Sequence, residues 1–361
     1  MALFKYHFSD RIIQDRKISC KKIKKAAQIV MTKDKVLAIL KNNNDYVSGE
    51  VISSELGISR MSISTAVKKL REEGYDIESV TNRGYKLVEA PDKLTSGEIL
   101  AFLDENRMKK VLCLESTEST NKTLQAMALD GAPDRQVVIA DEQTKGRGRL
   151  GRSFNSPKNS GIYFSYLMKP DKKSPQDATT LTAWTAVAIS DAIKEACGIE
   201  PEIKWVNDLV LNKQKICGIL TEMSIESESG MIQSIIIGIG VNVNELKEDF
   251  PEEIRDIASS LYVETGKRYS RSKIAAAMVK HMDKLYDNWP ESAEKYLKIY
   301  KSKSITLGKD VSVRFTDDEE PKHAKAIDIN NDFSLQVEYE DGTTEAVFSG
   351  DVSVRGLYGY C

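Results

Sequence analysis

The chain has 361 residues, which at roughly 100–200 residues per domain implies two or three domains. Hydrophobic residues make up 41% and charged residues 29%, too much apolar material for a disordered chain and enough for packed cores. The longest apolar run, Ile235 to Val241 with its two glycines, falls far short of the roughly 20 residues of a membrane span. The five cysteines (Cys20, Cys113, Cys197, Cys217, Cys361) are scattered and contain no CxxC pair, so neither a disulfide framework nor a zinc knuckle is available. A cytoplasmic protein without a membrane partner is expected.

The net charge of −2 hides segregation: residues 1–30 carry 8 Lys/Arg against 2 Asp/Glu, residues 31–95 carry 10 against 10, and residues 96–361 carry 34 against 42. The first stretch has a basic cluster at Lys21–Lys25 but no apolar core of a secretory signal. Met31 then precedes the first periodic segment. Residues 1–31 are therefore read as a basic extension, either a disordered arm or the product of a misplaced start.

From Lys33 to Lys41 the residues Val36, Leu37 and Leu40 mark one helical face. Ser48 precedes a second helix that closes at Gly57, and Ser59 begins a third with the stripe Ile63, Ala66, Val67 and Leu70. Two extended runs around a turn at Asn82-Arg83-Gly84 follow. Residues 32–90 thus read as a winged helix-turn-helix. The third helix presents Arg60, Ser62, Ser64, Thr65, Lys68, Lys69 and Arg71 on its polar side, the donors a recognition helix needs in a major groove. The candidate DNA-binding set is Ser59, Arg60, Ser62, Ser64, Thr65, Lys68, Lys69 and Arg83. The module has no net charge, so one copy is expected to bind operator DNA weakly and two copies usefully.

After a short linker at Glu89–Thr95, residues 96–303 mix helices (Ser96–Glu105, Ser119–Leu129, Ala178–Cys197, Arg271–Trp289) with strands (Val111–Glu115, Gln136–Ala140, Gly161–Met168, Ile216–Met223, Ile232–Ile239). Neighbouring strands from Ile216 onward look antiparallel, so the class is multidomain α+β. Residues 304–361 change to short strands with turns at Asp317-Asp318, Asn330-Asn331 and Asp341-Gly342, the pattern of a small β-barrel. That segment carries 5 Lys/Arg against 12 Asp/Glu and is a poor nucleic-acid binder.

The most informative motif is Gly146-Arg147-Gly148-Arg149-Leu150-Gly151-Arg152. It spells GxGxxG, but a dinucleotide fingerprint must open a helix, and here Pro157 and another strand follow. Three interleaved arginines make it instead an anion-binding loop able to close over carboxylate or phosphate oxygens, or else a basic surface loop. Lys204-Trp205-Val206-Asn207-Asp208 adds an ammonium at a strand end, which alone could be a surface lysine but beside an anion loop suits phosphoryl or nucleotidyl chemistry. Ser119-Thr120-Asn121 is either a helix cap or a ligand contact. His7, His281 and His323 lie in three different segments, so no histidine metal site or Ser-His-Asp triad is expected. Gly238-Ile239-Gly240 marks close backbone packing.

Taken in order, Glu115–Asn121, Gln143–Phe154, Lys204–Leu209, Lys215–Leu220 and Gly238–Asn244 resemble the successive motifs of biotin protein ligases. With the winged helix in front and Ser349–Arg355 at the close, the chain is similar to the bifunctional ligase and biotin operon repressor form over about residues 32 to 356. The resemblance implies a central mixed-sheet domain like class II synthetases and an SH3-like C-terminal barrel. It implies that ATP, with Mg2+, activates biotin to biotinyl-5′-AMP, which then acylates a lysine of the biotin carboxyl carrier protein of acetyl-CoA or pyruvate carboxylase. By position it implies biotin or adenylate contacts from Ser119, Thr120, Asn121, Gln143, Gly146, Arg147, Gly148, Arg149, Lys204, Gly218 and Asn242, with Lys204 and Arg149 catalytic and no protein-held metal. The adenylate would also act as corepressor, promoting a homodimer on a two-half-site operator. Val206 departs from the family's usual proline. The competing readings are a ligand-sensing transcription factor without catalysis, a monofunctional ligase, and a relative that activates lipoate.

Overall fold

The computed structural model describes residues 32–171, 173–315 and 320–348, and the strand backbone of 352–356. The extension before Thr32, the turn at Asp317-Asp318 and the side chains of Ser349–Arg355 lie outside the described residues.

Three helices, α1 (Thr32–Lys41), α2 (Gly49–Leu56) and α3 (Arg60–Glu72), precede a hairpin of β1 (Asp76–Val80) and β2 (Gly84–Glu89). The caps are those the sequence promises. Ser48 accepts from Val51 N, Ser59 accepts from Ser62 N, and Gly57 ends α2 in the left-handed region at φ 64. The apolar stripes meet in one small core of Val36, Leu37, Leu40, Ile52, Ile63, Val67 and Leu70.

The expected helix from Ser96 to Glu105 is two pieces, α4 (Ser96–Leu100) and α5 (Glu105–Met108). Asp104 accepts from Arg107 N and so caps a fresh helix where a continuous one was expected. Then come β3 (Val111–Leu114), α6 (Thr120–Leu129), β4 (Val137–Ala140), β5 (Ile162–Met168) and α7 (Leu181–Cys197). They are followed by β6 (Glu202–Lys204), β7 (Asp208–Leu211), β8 (Gln214–Ile225), β9 (Ile232–Val241), α8 (Leu261–Thr265), α9 (Arg271–Asn288) and α10 (Ala293–Lys303). The seven strands form one sheet in the order β3-β4-β5-β9-β8-β7-β6. Only β3 and β4 run parallel; the other neighbours are antiparallel, as α+β requires.

The last segment is a five-stranded antiparallel sheet, β10 (Asp310–Phe315), β11 (Lys322–Ile329), β12 (Leu335–Tyr339), β13 (Thr344–Val347) and β14 (Val352–Gly356), in the order β13-β12-β11-β10-β14. It shares one apolar cluster with the central sheet through Trp184, Tyr300, Phe333 and Val337.

The helix-turn-helix module is bolted to the central domain. Buried Glu98, in α4, pairs with Lys41 of α1 and accepts from Ser272 of α9 at 3.2 Å. The linker is equally anchored. Fully buried Arg271 donates to the Asp92 carboxylate at 2.8 Å, to the Asp92 carbonyl at 2.7 Å, to Asp141 at 2.5 Å and to the Gly161 carbonyl at 3.1 Å.

Candidate functional site

The strip Gly146–Arg152 folds back on itself. Gly148 N donates to Arg152 O at 2.7 Å, Phe154 N donates to Gly146 O at 3.0 Å, and Arg149–Gly151 makes the turn at the tip. No helix opens after it, which disposes of the dinucleotide fingerprint. Its base is held by Thr144 N to Thr117 O at 2.9 Å and Lys145 N to Glu118 O at 2.9 Å, beside the start of α6.

Lys204 stands at the mouth of a tight hairpin. The register Ile203↔Leu209 and Lys204↔Asp208 leaves only Trp205, Val206 and Asn207 for the turn. That turn is held from three sides. Trp205 N donates to Thr306 Oγ1 at 3.0 Å, Trp205 Nε1 donates to Phe333 O at 3.0 Å, and Asn207 Nδ2 donates to Ile219 O at 3.2 Å. Arg149 Nη1 in turn donates to Asn207 Oδ1 at 3.1 Å, so the tip of the arginine strip reaches the lysine hairpin. The Trp205–Val206 peptide is cis.

The third element is the start of α6. Ser119 occupies the cap position but makes no side-chain cap bond, and it is buried at 2% exposure. Thr120 N and Oγ1 donate to Gln143 Oε1 at 2.9 and 3.1 Å, and Gln143 Nε2 donates to Ser156 Oγ at 3.1 Å. Ser165 Oγ, from β5, donates to Asn121 Oδ1 at 2.6 Å and lies 2.8 Å from Thr120 Oγ1. These side chains lie against bare backbone. A Cβ at Gly238 would stand 2.3 Å from Asn121 Oδ1, and one at Gly240 would stand 2.4 Å from the Phe154 ring, so both positions need glycine for close approach.

One cavity of about 840 Å³ collects Ser119, Thr120, Asn121, Gln143, Arg147, Gly148, Arg149, Lys204, Gly218 and Asn242. Gly146, the remaining residue of the expected set, is not among the residues lining the cavity. It lies under the strip, where a Cβ would meet Phe154 O at 2.3 Å, so its place is explained by loop packing. Sequence reasoning missed the wall formed by Phe250, Glu253, Ile254, Asp256 and Ile257, which follows β9 without regular periodicity. It also passed over Lys215, whose ammonium lies 2.7 Å from Asp208 beside the same cavity. Among the described residues no cluster of three or more His, Cys, Asp or Glu could hold a metal ion.

Buried Glu245 lies just beyond the cavity-lining Asn242. Burial pushes its carboxyl up to about 7, while backbone N–H groups and the nearby Arg271 pull it down. A carboxyl raised in the folded state favours folding below its unfolded pKa, and that advantage is lost as pH rises toward about 7. Glu245→Gln is therefore expected to match the parent in urea melts near pH 4, and to be more stable by roughly 3 kcal/mol near pH 8. A stability difference independent of pH would refute that account.

On the helix-turn-helix module, Arg60, Ser64, Thr65, Lys68 and Lys69 are exposed on α3. Ser59 and Ser62 are engaged with each other at 2.9 Å around the cap, and Thr65 bonds back to Met61 O at 2.9 Å. Arg71 leaves the reading face, donating to Ile77 O and Ser79 Oγ of the wing. Arg83, in the wing turn, lies 4.2 Å from the Tyr46 ring centroid.

Residues 113–242 match the model of the biotin/lipoate A/B protein ligase family, and residues 32–86 match an HTH domain. The chain is 34% identical over 329 residues to the bifunctional ligase/repressor BirA of Bacillus subtilis, covering 90% of this chain and 98% of that protein. It is 26% identical over 322 residues to the protein of the same name from Escherichia coli, covering 89% and 96%. Its fold is similar to the biotin protein ligase from Aquifex aeolicus in complex with biotin and ATP, with a TM-score of 0.58 and 28% identity over 68% of this chain and 98% of that one. Matched along both its ligase region and its helix-turn-helix, the chain belongs to the biotin/lipoate A/B protein ligase family, among its bifunctional ligase/repressors.

Proposed function

We propose that the chain activates biotin with ATP and transfers it to a lysine of a biotin carboxyl carrier protein, and that it represses biotin genes with biotinyl-5′-AMP as corepressor. The observation that carries this reading is the cavity of about 840 Å³ on which α6, the arginine strip, the Lys204 hairpin and β8–β9 all converge.

The small polar floor of Ser119, Thr120, Asn121 and Gln143 suits a compact polar ring system such as the biotin head group. Biotin's carboxylate would attack the α-phosphorus of ATP, forming the biotinyl–phosphorus anhydride and breaking the bond to pyrophosphate. Lys204 and Arg149, linked through the Asn207 hairpin, would stabilise the charge that builds on the phosphoryl oxygens. Arg147, Gly148 and Arg149 would cover the mixed anhydride and keep water from it. Magnesium would arrive with the triphosphate, whose oxygens supply its ligands. The carrier lysine then attacks the acyl carbon, releasing AMP. Biotin-dependent pyrophosphate release, followed by labelling of a carrier domain, tests this reading; lipoate in the same assay tests the lipoate alternative.

The central sheet is read as synthetase-like and the C-terminal sheet as an SH3-like barrel, a reading supported by short antiparallel strands whose alternate residues Val311, Val313, Leu335 and Val337 are buried. A cytoplasmic location goes with the ATP-dependent reaction, and among the described residues no helix is long and apolar enough to cross a membrane. The repressor half requires a ligand-promoted homodimer, since one module without net charge binds weakly. On a biotin-synthesis promoter, binding should strengthen when biotin and ATP are added together. Lys69→Ala should weaken binding about equally across sequences and lower the salt slope by about 1. A gel shift indifferent to biotin and ATP would leave a monofunctional ligase, and ligand-dependent binding without pyrophosphate release would leave a sensor without catalysis.

A further inference from the structure

Glu222 belongs to none of the motifs that mark the site, yet it joins two of them. It lies on β8, and its two carboxylate oxygens serve different partners. Asn121 Nδ2 donates to Oε2 at 2.7 Å, and Arg147 Nη1 donates to Oε1 at 3.3 Å. The Asn121 amide is otherwise fixed by Ser165, which donates to its Oδ1 at 2.6 Å, and by the bare backbone of Gly238 beneath it. Asn121 is buried at 4% exposure, whereas Arg147 and Glu222 keep 48% and 36% of their side chains exposed. One anion therefore connects the buried floor of the cavity to the paired stem of the arginine strip.

We propose that Glu222 is a positioning residue for the ligase reaction, holding the Asn121 amide and the Arg147 guanidinium in register so that the floor and the arginine strip present one preformed biotin site. An ionised carboxylate can accept from both donors at once. A glutamine cannot: its single oxygen satisfies one donor, and its NH2 group faces the other. The inference rests on the ligase reading, and the test separates the two.

The experiment compares Glu222→Gln with the parent in two assays. The first is limited trypsin cleavage at Lys145, Arg147, Arg149 and Arg152 in the ligand-free protein, which needs no activity. The second is pyrophosphate release with biotin and ATP varied separately. Cleavage of the strip several-fold faster than in the parent is expected, with a KM for biotin raised roughly tenfold and a KM for ATP within about twofold. In an Arg147→Ala background the effect of Glu222→Gln on biotin should shrink, because part of its action is already gone. Unchanged cleavage with an unchanged KM for biotin overturns the proposal. So does an equal rise in both KM values with a lowered melting temperature, which marks a merely structural residue. If the glutamine variant fails to fold, Glu222→Asp takes its place, and parent-like behaviour in both assays overturns the proposal. A parent protein that releases no pyrophosphate refutes the ligase reading instead, while the cleavage assay still reports on the coupling.

Discussion

Lys204→Ala is expected to lower the rate of biotin-dependent pyrophosphate release by about 10²–10³-fold, the usual cost of removing one preorganised charge-stabilising group. The side chain is only 7% exposed and stands at the mouth of a three-residue turn pinned by Thr306, Phe333 and Ile219, so the backbone that carries the ammonium is held in place before substrate arrives. A charge fixed in advance needs no reorganisation as the phosphoryl oxygens become more negative. The loss should therefore fall mainly on kcat, with the KM for biotin moving less. Lys204→Arg should not restore the rate, because a planar guanidinium presents its donors differently from a point charge. Pyrophosphate release within about threefold of the parent in the alanine variant would remove Lys204 from the chemistry.

Arg271→Met should have the largest effect on stability, about 3–5 kcal/mol, with a fall of about 10 °C in the melting temperature of the ligase region. The guanidinium is fully buried and satisfies Asp92, Asp141 and the Gly161 carbonyl together. Removing it leaves carboxylates packed for a cation that is gone, a heavier loss than the net worth of the ion pairs. Lysine at this position should recover little, since one ammonium cannot reach three acceptors set around a planar fork. Thermal melts of the three proteins decide it. A methionine variant melting within about 2 °C of the parent would show that the cluster holds little.

Long periodic elements and their caps were legible in the sequence. Ser48, Gly57 and Ser59 announce the ends of α2 and α3, and the Val36/Leu40 and Ile63/Val67/Leu70 spacing announces the buried faces. The arginine strip and Lys204 were legible as candidates, because a cationic glycine loop without a following helix and a lysine at a strand end stand out locally, and the structure brings both to one cavity. Strand β7 was not, since its four residues follow the Lys204 turn directly with no break of their own; it exists because β6 and β8 pair with it on either side. Arg71 reads as one more basic residue of the third helix, and only the wing packed beside it shows that it is spent on Ile77 and Ser79. Glu222 gave no signal at all: on a strand it is an ordinary half-exposed acid until α6 is laid across β9 and brings Asn121 to it.

The fastening of the helix-turn-helix to the enzyme has a consequence for operator architecture. Lys41 and Glu98 on one side, and Asp92 with Arg271 on the other, leave the short segment between the two parts little freedom to swing. In any pair of molecules the separation of the two α3 helices is then dictated by how the ligase portions meet. Half-site spacing on the operator would be a dimension inherited from the enzyme, and changing it would take a rebuilt dimer contact, with longer tethers of no help while those two clamps hold.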